Sequence, residues 1–233
     1  MTFELTHRRR LATAFALCSL AGLVLLGGHP ASGAGQAFAD LLRAEASSRV
    51  TDGLVHGGFI AVSSVLIVSF VYLSHLLGPL RVGVVAALVA FCAGSIALSG
   101  SMTLDGLVIP ALAERFVGTG TGAEDLAVAR TLFIFCGTAI RVLMPMGLLF
   151  EVLAVLCWSV SLMAQGWRRV GGLGIASAVI YVAAMLALPG KGPLMLMAGI
   201  VLLCLWYFVL AGILWARDGW SSPAPAHVGA GVG

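Results

Sequence analysis

Charge is scarce in this sequence. Asp, Glu, Lys and Arg together make up 10% of its 233 residues, against roughly a quarter in soluble domains. Hydrophobic types reach 60% and the mean hydropathy is +1.06. No water-solvated fold hides that much apolar surface, so part of the solvent must be lipid. The formal net charge of +3 does not mark a nucleic-acid binder. Lys and Arg stand at the ends of apolar runs and form no stripe that a phosphate backbone could follow.

Paired cysteines are lacking too. Cys18, Cys92, Cys136, Cys157 and Cys204 lie far apart inside apolar runs, which excludes a CxxC redox motif or a zinc knuckle. They read as small core residues. The sequence also holds no P-loop, no GxGxxG after a strand, no HExxH and no GxSxG.

What is present is a series of long apolar runs. A spanning helix needs ~20 apolar residues to cross ~30 Å of hydrocarbon. Crossings are expected at about 11–28, 54–78, 82–104, 142–164, 172–188 and 194–216. The fourth region is irregular, because the chain stays apolar from Ala129 to Trp167, interrupted by Arg141, Pro145 and Glu151. Glu124–Arg141 is expected as a separate helix near the outer surface. Ala37–Val50 reads as a short amphipathic outer helix, with Phe38, Leu41, Leu42 and Ala46 at helical spacing. Gly106–Arg130 reads as a loop, and the Pro-, Ala- and Gly-rich tail 221–233 as disordered. The expected fold is an all-α polytopic membrane helix bundle with six transmembrane helices in a single domain, 1–220.

Basic residues set the orientation. Arg8–Arg10, Arg81 and Arg168–Arg169 sit in every second short loop, which makes those loops cytoplasmic and both termini inside. Trp167, Trp215 and Trp220 fall at the same boundary, as interfacial indoles do. The start has a rival reading. Arg8–Arg10, an apolar run and Ala31-Ser32-Gly33-Ala34 also describe a cleaved signal, although the run of ~18 residues exceeds a usual signal core. Small residues Ala86, Ala90 and Gly94 recur every fourth position in the third crossing, a pattern that lets helices approach closely in lipid. Gly172, Gly174, Ala176, Ala178 and Ala183 offer the same in the fifth.

Ionisable groups at membrane depth are costly and therefore informative. The second and third crossings join through Gly78-Pro79-Leu80-Arg81. His56 lies 24 residues before Leu80 and Asp105 lies 25 after it. Equal distance from a hairpin turn means equal depth, so the two should meet near the outer boundary. His29 and Arg141 should reach a similar height, and Glu114 could join from the loop. The candidate outer cluster is thus His29, His56, Asp105 and Arg141. Glu151 lies ten residues into the fourth crossing, ~15 Å deep. A lone carboxylate there must be protonated, paired or hydrated, which makes it the candidate proton or ion site. The bland alternative for all of these is helix fastening.

No cofactor and no metal are expected. His56 and His75 are 19 residues apart on one helix, ~28 Å, and cannot share a haem. Two imidazoles and a carboxylate suit a metal, but no local spacing such as HxxxH supports one. Met144, Met146, Met195 and Met197 read as packing methionines rather than copper ligands.

Three placements, His29-Pro30 closing the first crossing, His56 opening the second and Asp105-Gly106 closing the third, resemble a broad group of uncharacterised bacterial multi-pass membrane proteins. The resemblance covers the first half of the chain. It implies a bacterial cytoplasmic (inner) membrane protein and carries no known activity.

Three functions follow from these features. One is a small proton- or cation-linked transporter using Glu151 and the outer cluster. Another is a non-catalytic sensor or assembly partner. The third, and the weakest, is a membrane enzyme at the outer leaflet with His56 and Asp105 as an acid–base couple. The expected partners are the lipid bilayer and another membrane protein, either a second copy or a different chain, with no nucleic acid.

Overall fold

The computed structural model describes residues 2–29, 37–118, 122–187 and 192–216. Among them the chain forms helices α1 (Thr2–Gly27), α2 (Phe38–Leu77), α3 (Val82–Thr103), a π-helical turn (Leu104–Val108), α4 (Ile109–Gly118), α5 (Ala123–Ala164), α6 (Arg168–Ala187) and α7 (Gly192–Ala216), with no strand. Six helices are long and apolar enough to cross a membrane, the third running from α3 through the π turn into α4. The chain is an all-α, multi-pass membrane bundle. The expected tail 221–233, Pro30 and Trp220 lie outside the described residues.

Two helices run longer than the sequence suggests. At 1.5 Å per residue, α2 extends ~60 Å and α5 ~63 Å, about twice the hydrocarbon thickness. The expected outer helix 37–50 is therefore not separate. Nothing between Ala37 and Leu77 breaks the backbone ladder, and it is the first part of α2. Likewise Glu124–Arg141 and the crossing expected from 142 are one helix. Pro145 removes a single backbone donor, and adjoining turns in lipid tolerate that loss. The expected loop 106–130 is largely helical as well. Pro110 follows directly on the π turn, inside the helical run that continues α3 into α4.

Two turns depend on glycine. Gly78 (φ 103°) and Gly166 (φ 84°) both occupy backbone space that side-chain-bearing residues rarely adopt. Gly78 closes α2 by donating its N–H to His75, and its carbonyl accepts from Arg81 at 3.1 Å. That fixes the hairpin between α2 and α3. Gly166 reverses the chain between α5 and α6.

At mid-bundle α3 and α5 cross almost backbone to backbone. A β-carbon on Gly94 would stand 2.8 Å from the Gly147 carbonyl oxygen, and one on Gly147 would stand 2.7 Å from Leu98. The small-residue stripe expected on this helix is shifted: Ala87, Ala90 and Gly94 face inward, and Ala86 faces out. On α6 the inward small residues are Gly171, Gly174 and Ala178, while Ala176 and Ala183 are exposed.

The other side of the core is aromatic. Phe70 stacks on Trp158 with centroids 4.0 Å apart, flanked by Phe91, Trp206, Tyr207 and Phe15. A buried indole needs a partner for its N–H. Trp158 donates to Ser74 at 3.0 Å and Trp206 to the Val170 carbonyl at 3.2 Å. Phe15 brings α1 into this core. A second, smaller core of Leu42, Ala113, Phe116 and Ala129 packs α4 between the starts of α2 and α5. This cap sits at the end of the bundle that carries His56.

Candidate functional site

His56 lies on α2 at the base of that cap and is 1% exposed. Its Nδ1 faces the carbonyl oxygen of Asp52, one turn earlier, at 2.9 Å. Its Nε2 lies 3.2 Å from Oδ2 of Asp105. The hairpin count expected these two at one level, and their side chains touch. Asp105 belongs to the π turn, a local widening of the helix often found at functional positions. The next residue explains the Asp-Gly pairing. A β-carbon on Gly106 would overlap Cβ, Cγ and Nδ1 of His56, so only glycine lets this backbone lie against the ring.

His29, just past α1, completes the group. Its ring meets that of His56 edge to face, with centroids 5.0 Å apart. One ligand-capable atom each from His29, His56 and Asp105 lies within 4.8 Å of the others. His29 is exposed and His56 is buried, so the group opens on one side.

Arg141 is placed differently. Its Nε donates to the Gly137 carbonyl at 3.2 Å and its Nη2 to Thr138 Oγ1 at 3.5 Å, both on its own helix. Because Gly94 faces Gly147, counting outward by equal steps puts Asp105 opposite Cys136. Arg141 therefore starts about 7 Å deeper than Asp105. It is exposed, and its side chain runs back toward the His56 end as a snorkelling arginine does. Glu114 forms an ion pair with Arg49, tying α4 to α2.

Sequence reasoning passed over the acidic residues on the same face of α2. Glu45, Ser48, Asp52 and His56 recur at helical spacing, which was the available signal. Ser48 donates to the buried Asp52 carboxylate. Glu45 lies in the part of α2 that precedes the expected crossing. Its own burial first, then the carboxylates of Asp52 and Asp105, push its carboxyl above the ordinary range, while His56 pulls the other way.

Comparison with protein-family models, curated proteins and solved structures finds no match to this chain.

Below the His56–Asp105 pair the bundle opens. Phe59, Ile60 and Ser63 continue down α2, and Met102 and Ser99 continue down α3. Between them is a cavity of about 70 Å³, reaching Glu151, Cys204 and Tyr207. That is room for more than one water. Glu151 is 7% exposed and accepts a 3.3 Å hydrogen bond from Ser95. Among the described residues the buried Tyr207 hydroxyl has no hydrogen-bond partner. Asp105 and Ser95 are ten residues apart on one continuous helical run, ~15 Å. The cavity wall is mostly apolar, with Ser63, Ser99, Glu151 and Tyr207 as its polar points, and it ends one turn short of His56 and Asp105.

The imidazole adds a chemical constraint. A carbonyl can only accept, so the Asp52 contact puts a hydrogen on Nδ1 of His56. In the neutral ring Nε2 then presents a lone pair to a carboxylate, another acceptor. At 3.2 Å two such acceptors repel unless a positive charge or a shared proton lies at that contact.

Proposed function

We propose that this chain is a small proton- or cation-linked transporter of a bacterial inner membrane, with Glu151 as its mid-membrane site. The observation that carries this reading is the cavity that reaches Glu151 from beneath His56 and Asp105. Carriers of charge through lipid need a hydrated ionisable group at depth and a polar approach to it. Here Ser63, Ser99 and Tyr207 are the polar groups on the cavity wall, and Glu45, Asp52, His56 and Asp105 lie beyond it toward the bundle end. Arg8–Arg10, Arg81 and Arg168–Arg169 gather at the opposite end of the bundle, which by the positive-inside rule faces the cytoplasm. The His56 end then faces outward.

One observation favours a rival. Ser95 and Glu151 lie beside the tight Gly94–Gly147 crossing, where a hydrogen bond could serve only to fasten α3 to α5. Uptake by purified protein in liposomes, across a panel of ions and pH gradients, separates the two. Transport predicts gradient-driven flux that Glu151→Gln abolishes while the protein stays folded. Fastening predicts no flux in either protein.

A further inference from the structure

We propose that His29, His56 and Asp105 form a binding site for a divalent transition-metal ion of the zinc class, with one coordination position open to solvent. The inference does not depend on transport, because a resident ion could equally be structural. Two imidazoles and a carboxylate are an established donor set for such ions. Three protein donors leave room for a water or an incoming ligand, and the exposure of His29 places that position on the open side.

The geometry is nearly assembled. Around a tetrahedral ion with bonds of ~2.0–2.2 Å, donor atoms lie ~3.4 Å apart. His56 Nε2 and Asp105 Oδ2 are already 3.2 Å apart. The widest separation in the group is within 4.8 Å, so about 1.4 Å of closure suffices. His29, exposed at the end of α1, would supply that closure.

Two further features point to an ion. The hydrogen bond from His56 Nδ1 to the Asp52 carbonyl is the outer-shell contact that fixes a metal-ligating histidine, leaving Nε2 free to bind. Gly106 then packs against the ring and holds its direction. A cation at this point also relieves the repulsion between Nε2 and Oδ2.

The test uses full-length protein purified in detergent through a tag that contains no histidine. Zn²⁺ is titrated calorimetrically, and Co²⁺ is titrated with its visible absorption as a reporter of geometry. The expected result is one ion per chain with a tetrahedral cobalt spectrum. His29→Ala and Asp105→Asn should each weaken binding at least about tenfold. His29→Ala removes an exposed side chain, so its folding is preserved and is checked by gel filtration. Unchanged affinity in both variants would place binding at other histidines and overturn the proposal. So would the lack of saturable one-to-one binding by the wild type.

Discussion

Gly106 lies so close to His56 that a β-carbon at position 106 would overlap the imidazole. The π turn brings Asp105 to Nε2 of the ring, and the adjoining glycine allows the backbone to pack against it. Gly106→Ala should therefore push His56 away from Asp105. Overpacking of this kind costs about 1–3 kcal/mol. Thermal unfolding in detergent should show that loss, together with weakened zinc binding. An unchanged melting temperature would contradict this close approach of the ring and the turn.

The crossing of α3 and α5 gives a matched pair of variants. Gly94→Ala meets the Gly147 carbonyl at 2.8 Å, whereas a β-carbon on Gly137 meets nothing among the described residues within 4 Å. The first should destabilise by about 1–3 kcal/mol. Gly137→Ala should be neutral or stabilising by up to ~1 kcal/mol, since alanine favours helix. Melting temperatures of the two, measured side by side, check the contrast.

Trp158 is fully buried, stacked on Phe70 and bonded to Ser74. Its replacement by alanine should cost about 3–5 kcal/mol. Ser74→Ala leaves the indole N–H without a partner and should cost about 1–3 kcal/mol. Both are read from unfolding curves, and the order of the two losses is part of the prediction.

Glu45 should give a pH signature. Its carboxyl is raised above the ordinary value, chiefly by burial, so the folded state holds that proton more tightly than the unfolded one. The stability it contributes is present at and below the ordinary carboxylate value, about pH 4. It is lost as pH rises through the folded value. Wild-type melting temperature should fall relative to Glu45→Gln across that window. Parallel pH profiles would contradict it.

Phe15 joins Phe70 edge to face at 4.9 Å and is fully buried. A helix that supplies core packing is not expected to be removed. Intact mass of membrane-extracted protein should therefore retain residues 1–34, including His29. A mass starting after Ala34 would support the signal reading.

Part of this site is legible in the sequence alone. The meeting of His56 and Asp105 follows from counting along a hairpin whose turn is fixed by Gly78, because helix rise converts residue number into depth. Arg141 shows where counting stops working. Its depth depends on the α3–α5 crossing, and its direction on the phase of a helix whose start was misplaced. The long α2 and α5 were hidden for a related reason. Polar residues near 50 and 141 suggest element ends, yet a helix leaving the bilayer changes composition without losing its hydrogen bonds. The contribution of Gly106 was not legible, since a steric need for glycine depends on a neighbour distant in sequence.

The claim that water reaches Glu151 from the His56 end is tested most directly by thiol access. Ser99, on the cavity wall, is changed to cysteine in a variant whose native cysteines are alanine. Silver ions are then applied to either side of sealed vesicles before denaturation and maleimide labelling. Silver from the His56 side should block labelling, and silver from the Arg81 side should not. Full labelling after either treatment, or blocking only from the Arg81 side, would contradict the outward-opening route.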